Sequence, residues 1–360
     1  MNFEPHNLFI TGGAGFIGSN FVRHWLANSC DGRVVIYDAL TYAGNVENLT
    51  DVKDDPRYTF LQGDICDEST VRALLQQHQI DTIVHFAAES HVDRSILGPD
   101  DFIRTNVLGT HSLLKVAKEL WVDQKAVPRH RFHHISTDEV YGSLGPNDAP
   151  FTEDSPYAPN SPYSASKAAS DHLVRAYHET YGLHTTVTNC SNNYGPYHFP
   201  EKLIPLTIVN ILLGKALPVY GDGLQIRDWL HVSDHCAAIV LALKKGDPGS
   251  VYNIGGNSET TNIRVVRNLC DLVDERLNAQ LELRHTFPHS PIFNGKQAAQ
   301  LISHVRDRPG HDRRYSIDFS KASCDIGYSP VLDLDTGLAS TVDWFLRNPE
   351  WWRDLRDRVA

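Results

Sequence analysis

The stretch Leu8-Phe9-Ile10-Thr11-Gly12-Gly13-Ala14-Gly15-Phe16-Ile17-Gly18 decides how the rest of the chain reads: an apolar run, a glycine-rich turn, then a helical pattern from Gly15 to Asn28. Glycines so placed permit a tight turn, let a backbone approach a pyrophosphate and bring helix and sheet close, while the helix N-terminus offers free N–H groups. An ordinary strand-to-helix turn would also use glycine. Asp38 tips the reading, because it closes the second apolar run, Arg33 to Asp38, at a distance where a carboxylate can accept bonds from the adenosine ribose. A carboxylate there repels a 2′-phosphate, and no arginine follows in Asp38-Ala39-Leu40-Thr41-Tyr42-Ala43-Gly44-Asn45, so NAD is favoured over NADP. Gly12, Gly15, Phe16, Ile17, Gly18, Asp38, Ala39, Leu40 and Thr41 are the first expected cofactor positions.

Outward from this unit the same alternation repeats. Candidate strands are Leu8 to Thr11, Arg33 to Asp38, Tyr58 to Gly63, Thr82 to Phe86, Arg131 to Thr137 and His184 to Asn189. Between them, helical periodicity covers Gly15 to Asn28, Glu68 to His78, Asp101 to Leu120 and Ser161 to Tyr181. Nearly continuous apolar strands are buried on both faces, as in a parallel sheet covered by helices. The pattern predicts an α/β, doubly wound, Rossmann-like domain over residues 1–190, carrying cofactor and catalytic residues. A smaller α/β, mainly substrate-binding lobe is expected over 191–360, with a soft boundary and a helix from Leu203 to Leu213. Asp64 and Ile65, and Phe86, Ala87 and Ala88, fall at strand ends where ribose and adenine are expected.

Composition narrows the partners. With 33 basic and 44 acidic residues the formal charge is -11, which argues against a general nucleic-acid or anionic-membrane binder. No window approaches the roughly 20 apolar residues needed to span a bilayer, and the first residues lack a leader pattern. A cytoplasmic protein is expected. Cys30, Cys66, Cys190, Cys236, Cys270 and Cys324 are scattered singly, which reads as reduced, mostly buried thiols. The 19 histidines include no HExxH spacing, and His133 and His134 would point to opposite faces of a strand, so no metal site is expected.

Tyr163 and Lys167 stand four residues apart at the start of a predicted helix and so share a face. An ammonium near a phenol of pKa about 10 favours the phenolate, and a shift of ~3 units would make Tyr163 a base near neutrality. A surface pair at this spacing is common and worth little; the dinucleotide context upstream favours the chemical reading. Asp138 and Glu139 follow the fifth strand, a place where acids also occur simply in solvated loops.

Together the glycine motif, Asp38 and the Tyr163/Lys167 pair resemble the extended short-chain dehydrogenase/reductase family. The segment His134-Ile135-Ser136-Thr137-Asp138-Glu139-Val140-Tyr141-Gly142 resembles, more narrowly, its nucleotide-sugar 4,6-dehydratases. Ordered matches run along nearly the whole chain: residues 41–45, 87–95, 192–205, 221–235, 252–256 and 307–315. The resemblance implies dTDP-glucose as substrate. Tyr163 would take the C4 hydroxyl proton as NAD takes the hydride; the ketone acidifies C5–H; Glu139 removes that proton, and protonated Asp138 helps the C6 hydroxyl leave as water. Hydride then returns to C6. Asp138 would need a raised pKa, which burial beside a second carboxylate provides. Thr137 resembles the hydroxyl donor to the C4 oxygen.

By the same resemblance, Ser90, Thr105 and Asn193 lie toward NAD, and Lys167 reaches the nicotinamide ribose. Substrate positions would be Ser90, Thr137, Asn192, Lys202, Leu203, Pro218, Val219, Tyr220, Arg227, Asn262 and Asp307-Arg308-Pro309-Gly310-His311, where arginine suits a diphosphate. The stretch between Glu139 and Tyr163 is shorter than in many members. A homodimer is implied, pairing the helices Asp101 to Leu120 and Ser161 to Tyr181. Two alternatives compete. A 4-epimerase shares the tyrosine and lysine but has no use for Asp138-Glu139, and a non-catalytic NAD-binding protein would be expected to lose one of these four side chains.

Overall fold

The computed structural model describes residues 3–127 and 129–357. The first six strands are β1 (Asn7–Thr11), β2 (Arg33–Asp38), β3 (Tyr58–Gln62), β4 (Thr82–His85), β5 (Arg131–Thr137) and β6 (Thr185–Cys190). They form one parallel sheet in the order β6-β5-β4-β1-β2-β3. All residues of β5 and β6 are buried, as strands covered on both faces must be. Strand order reverses between β1 and β4, so a crevice opens beyond their C-terminal ends. There the glycine turn and the Phe86-Ala87-Ala88 segment meet.

The remaining strands are β7 (Asn192–Tyr194), β8 (Leu217–Tyr220), β9 (Ile226–His231), β10 (Val251–Ile254), β11 (Glu259–Thr261) and β12 (Ile302–Val305). β11, β9 and β7 make a small sheet, and β12 pairs with β8. β10 instead joins the large sheet beside β6. Helix Val232–Lys245 returns with it, placing Cys236, Ile239 and Leu243 in one core with Val22, Trp25 and Leu26 of helix Phe16–Asn28. The chain therefore begins a second core after β6, with Ile204 and Ile208, and returns to the large sheet with this helix and β10. It then completes that second core with Val265, Leu269, Phe345 and Trp352. Each fully buried side chain of this size contributes about 1.5–3 kcal/mol.

Two expectations need correction. The predicted helix from Asp101 to Leu120 is helical over residues 100–123 but not α throughout: Ile103–Gly109 and Lys118–Asp123 are wide π-type turns. The first frees the Asn106 carbonyl, which accepts from both Ser170 and Thr110 hydroxyls at 2.6 Å, while the Asn106 side chain clasps both backbone groups of Glu89. It also brings Gly109 against Ile65 so closely that a Cβ would lie 2.5 Å from its Cδ1. The cysteines are unpaired, but only Cys190, Cys236 and Cys270 are buried. Cys30 follows the end of a helix, and Cys324 faces outward from helix Ser320–Ile326; both are exposed.

Candidate active site

At the switch point lies a cavity of about 860 Å³. Gly12 makes its floor possible: φ is +70°, and a Cβ would stand 2.5 Å from the Ala87 nitrogen. Gly18 is equally closed to a side chain, by the Gly12 carbonyl. No side chain caps helix Phe16–Asn28 at Gly15, leaving its first N–H groups directed at the cavity. Asp38 accepts the Ala14 N–H at 2.9 Å on one carboxyl oxygen and the Leu40 N–H at 2.8 Å on the other. Each oxygen keeps lone pairs for a ribose. Burial pushes the Asp38 carboxyl up, against those two N–H donors, which favour the anion.

Gly12, Gly15, Phe16, Ile17, Gly18, Asp38, Ala39, Thr41, Asp64, Ile65, Phe86, Ala87, Ala88, Ser90, Thr105 and Asn193 all line this cavity. Leu40 does not; it lies on an adjoining hollow of about 460 Å³ that shares Thr41 and Tyr42. The turn it occupies has φ +53°, with its N–H turned back to Asp38. A glycine floor, uncapped helix N–H groups and a ribose-side carboxylate fit a dinucleotide.

Thr137, Asp138, Glu139, Tyr163 and Lys167 line the other end of the same cavity. In a continuing strand, neighbours would alternate faces. Here β5 stops at Thr137, whose hydroxyl accepts the Glu139 N–H at 3.3 Å, and Asp138–Tyr141 winds into a 3₁₀ turn that lets adjacent acids face one space. Tyr163 sits in the first turn of helix Pro162–Tyr181. Ser161 and Ser164 cap each other's backbone N–H there, at 3.1 and 3.0 Å, which fixes the rotation of that turn.

Electrostatics separates the two acids. Asp138 is 1% exposed, and one of its carboxyl oxygens has no hydrogen-bond partner. Burial first, then Glu139 and Asp228, hold its carboxyl well above the usual range. Glu139 is also pushed up by burial, but Arg308, Arg227 and Lys202 all act to keep it ionised. The surroundings thus favour the acid form at Asp138 more strongly than at Glu139.

The phenol departs from expectation. Burial, then Glu139, hold Tyr163 well above its ordinary pKa, and Lys167 is not what offsets this. The lysine Nζ donates to the Ile135 carbonyl at 2.7 Å and lies 3.3 Å from His134 Nε2. Burial brings its own pKa down to about 8.

Asn192, Lys202 and Leu203 complete the wall. Pro218, Val219, Tyr220, Arg227, Asn262 and residues 307–311 lie outside it and form a neighbouring cluster. Arg308 pairs with Asp93 at 3.7 Å, Tyr220 OH bonds Asp93, and His311 bonds Asp307 at 2.6 Å. Arg227 is 4% exposed, stacked 4.2 Å from the Tyr315 ring and bonded to the Asp312 carbonyl. Val219 is buried in the second core, so only its backbone is available to a ligand. Unpartnered buried atoms concentrate nearby, among them Asn192 Oδ1, Asn262 Oδ1, Gln225 Oε1 and Arg308 Nε. Sequence reasoning missed Gln225, Glu201, Trp229 and His198. The last three line the cavity, and His198 stacks 4.2 Å from Phe16 of the glycine motif. Only position within the 192–205 and 221–235 matches could have flagged them.

A parallel sheet with this crevice, and a tyrosine and lysine facing it from one helix, define a dinucleotide-binding protein of the short-chain dehydrogenase/reductase class. The family model described as GDP-mannose 4,6 dehydratase matches residues 9–341, and the chain belongs to that family of nucleotide-sugar dehydratases. A dTDP-glucose 4,6-dehydratase of Escherichia coli is 52% identical over 362 residues, covering 97% of this chain and 96% of that protein. The crystal structure of the dTDP-glucose 4,6-dehydratase DesIV from Streptomyces venezuelae, with NAD and TYD bound, is 46% identical with a TM-score of 0.85, covering 97% of this chain and 99% of that one. A UDP-glucose 4-epimerase from Thermotoga maritima shares the fold at TM-score 0.80 but only 27% identity, over 95% of this chain and 99% of that one.

Proposed function

We propose that the chain is an NAD-dependent hydro-lyase, a dTDP-glucose 4,6-dehydratase that yields dTDP-4-keto-6-deoxyglucose. NAD, when bound, takes hydride from the sugar C4 and gives it back at C6, so it is regenerated in place. Tyr163 accepts the C4 hydroxyl proton, Thr137 bonds the C4 oxygen, Glu139 removes the C5 proton and returns it to C5 once hydride has reached C6, and Asp138 protonates the departing C6 hydroxyl. Each proton transfer is worth about 10² to 10⁴ in rate. The observation that carries this reading over a 4-epimerase is the divided pair facing one cavity: burial and Glu139 favour the acid form of Asp138, while Arg308, Arg227 and Lys202 favour the anion of Glu139. An epimerase moves no proton at C5 and no water at C6. Lys202, Arg227 and Arg308 supply positive charge for the diphosphate despite the acidic balance of the chain.

The chain pairs as a homodimer through its long helices. Ile103 and Leu108 on the 100–123 helix, with Tyr181 at the end of helix Pro162–Tyr181, are 48, 54 and 45% exposed, which supports that face. Sedimentation showing only monomer at micromolar concentration would refute it. A cytoplasmic location goes with six unpaired cysteines. No helix among the described residues is long and apolar enough to cross a membrane.

The deciding experiment uses dTDP-glucose deuterated at C4 with no added cofactor. A dehydratase delivers the label to C6 of a 4-keto-6-deoxy sugar; label kept at C4 of an epimerised sugar rejects the proposal.

A further inference from the structure

Tyr163, Lys167 and Asp171 follow one another at i, i+4 and i+8 on helix Pro162–Tyr181, so all three project from one face onto the end of β5. Asp171 is 5% exposed and takes no direct part in the reaction described above. Its Oδ2 accepts two hydrogen bonds, from the Ser136 hydroxyl at 2.7 Å and the Tyr157 phenol at 3.0 Å. Its Oδ1 lies 3.3 Å from His134 Nε2, and the Lys167 ammonium lies 3.3 Å from that same nitrogen. Carboxylate and ammonium thus converge on one ring nitrogen inside the protein.

The other groups that face Lys167 cannot balance its charge. Tyr163, on its own helix, has its anionic form disfavoured by burial and by Glu139. From β5 come His134 and the Ile135 carbonyl, and burial keeps that imidazole neutral. From β4 comes His85, its two ring nitrogens bonded to the Thr11 and Thr110 hydroxyls and likewise neutral by burial. From β6 comes Cys190, a thiol pushed up to about 12.

From this arrangement we infer that Asp171 is a positioning residue for the hydride step: its carboxylate, fixed by Ser136 and Tyr157, keeps the buried Lys167 charged and directed. A buried ammonium with no anion nearby loses its proton. Deprotonated, it neither stabilises a phenolate at Tyr163 nor donates with three hydrogens. Burial lowers the Lys167 pKa, and Asp171 is the first group that raises it back. The sign follows: without the carboxylate, Lys167 gives up its proton at lower pH.

The test is Asp171→Asn in the holoenzyme, compared with Asp171→Glu. In single-turnover reduction of the bound NAD, the alkaline limb of the rate should move to lower pH by about one unit or more in Asp171→Asn and return in Asp171→Glu. The ¹³Cε signal of Lys167, followed by NMR without substrate, should shift its titration in the same direction. Should Asp171→Asn not fold, the Ser136→Ala/Tyr157→Phe variant strips both hydrogen bonds from the anion, and must move the same limb the same way by less. A limb and a titration that both stay in place, in a folded variant, overturn the inference. The inference rests on Lys167 acting in hydride transfer. The substrate-free titration reads the Asp171–Lys167 link alone, so a titration that shifts under an unmoved rate profile refutes the role of Lys167, not the link.

Discussion

Asp138 and Glu139 are neighbours along the chain and face one cavity, yet Asp138 is buried with a carboxyl oxygen unpartnered while Glu139 lies within the influence of Arg308, Arg227 and Lys202. The proposed reaction needs a carboxylate at one place and a carboxylic acid at the other. Glu139→Gln keeps the shape and removes the base. Oxidation at C4 should proceed and stall there, so that NADH absorbance accumulates while 4-keto-6-deoxy product falls by about 10² or more. Normal turnover would remove Glu139 from its role.

Asp138→Asn should trade function for stability. A carboxyl raised in the folded state favours folding most at pH below its unfolded value of 3.8, and that contribution is lost as pH rises toward the folded pKa. The amide has no proton to lose. The variant should therefore melt higher than the parent at pH 7 to 8, with the difference shrinking toward pH 4, while dehydration slows by about 10² to 10⁴. A melting temperature lowered equally at all pH values would contradict the buried-acid picture.

Tyr163→Phe removes the phenolic oxygen and leaves a ring that still packs in a T-shaped contact 6.3 Å from Phe102. Reduction of bound NAD by substrate should drop below about one hundredth of the parent rate, with the amount of NAD carried through purification unchanged. Loss of the cofactor instead would mean the tyrosine serves binding.

Gly12→Ala combines two penalties. An L-residue at φ +70° costs about 1–2 kcal/mol, and its Cβ would stand 2.5 Å from the Ala87 nitrogen, forcing the β1 and β4 ends apart. Calorimetry should show a lower melting temperature, and the purified protein should carry little NAD. Retention of a full complement of cofactor would show that the turn relaxes freely.

Asp38→Ser leaves a hydroxyl where the carboxylate stood. The Ala14 N–H loses its acceptor and a 2′-phosphate loses its repulsion, so affinity for NAD should fall and the preference for NAD over NADP should narrow, by titration of each. An unaltered ratio would place cofactor choice elsewhere.

Much of this molecule is written locally. The six early strands fall within a residue or two of where the sequence pattern puts them, because strand-forming runs bounded by turn residues are a local signal, even in β5 and β6, which bury His133, His134, Thr186 and Asn189. Tyr163 and Lys167 were legible as a pair because helical spacing is a local rule. The helix over residues 100–123 was less so: its first wide turn, Ile103–Gly109, goes with Asn106 clasping Glu89 and Gly109 meeting Ile65, contacts between distant segments. Return of β10 to the large sheet was equally invisible, since four residues carry no sign of their partner.

By itself the sequence determined the parallel sheet, the glycine turn with Asp38, and which side chains were chemically able to act. Only the tertiary structure decided which charge state the surroundings of those side chains favour. Whether Asp138 is an acid and Glu139 a base, and whether Lys167 serves Tyr163 or the Ile135 carbonyl, depends on burial and on charges brought from β9, helix Pro162–Tyr181 and the 307–311 segment. A pKa is set by everything within several ångströms, and folding alone assembles that neighbourhood.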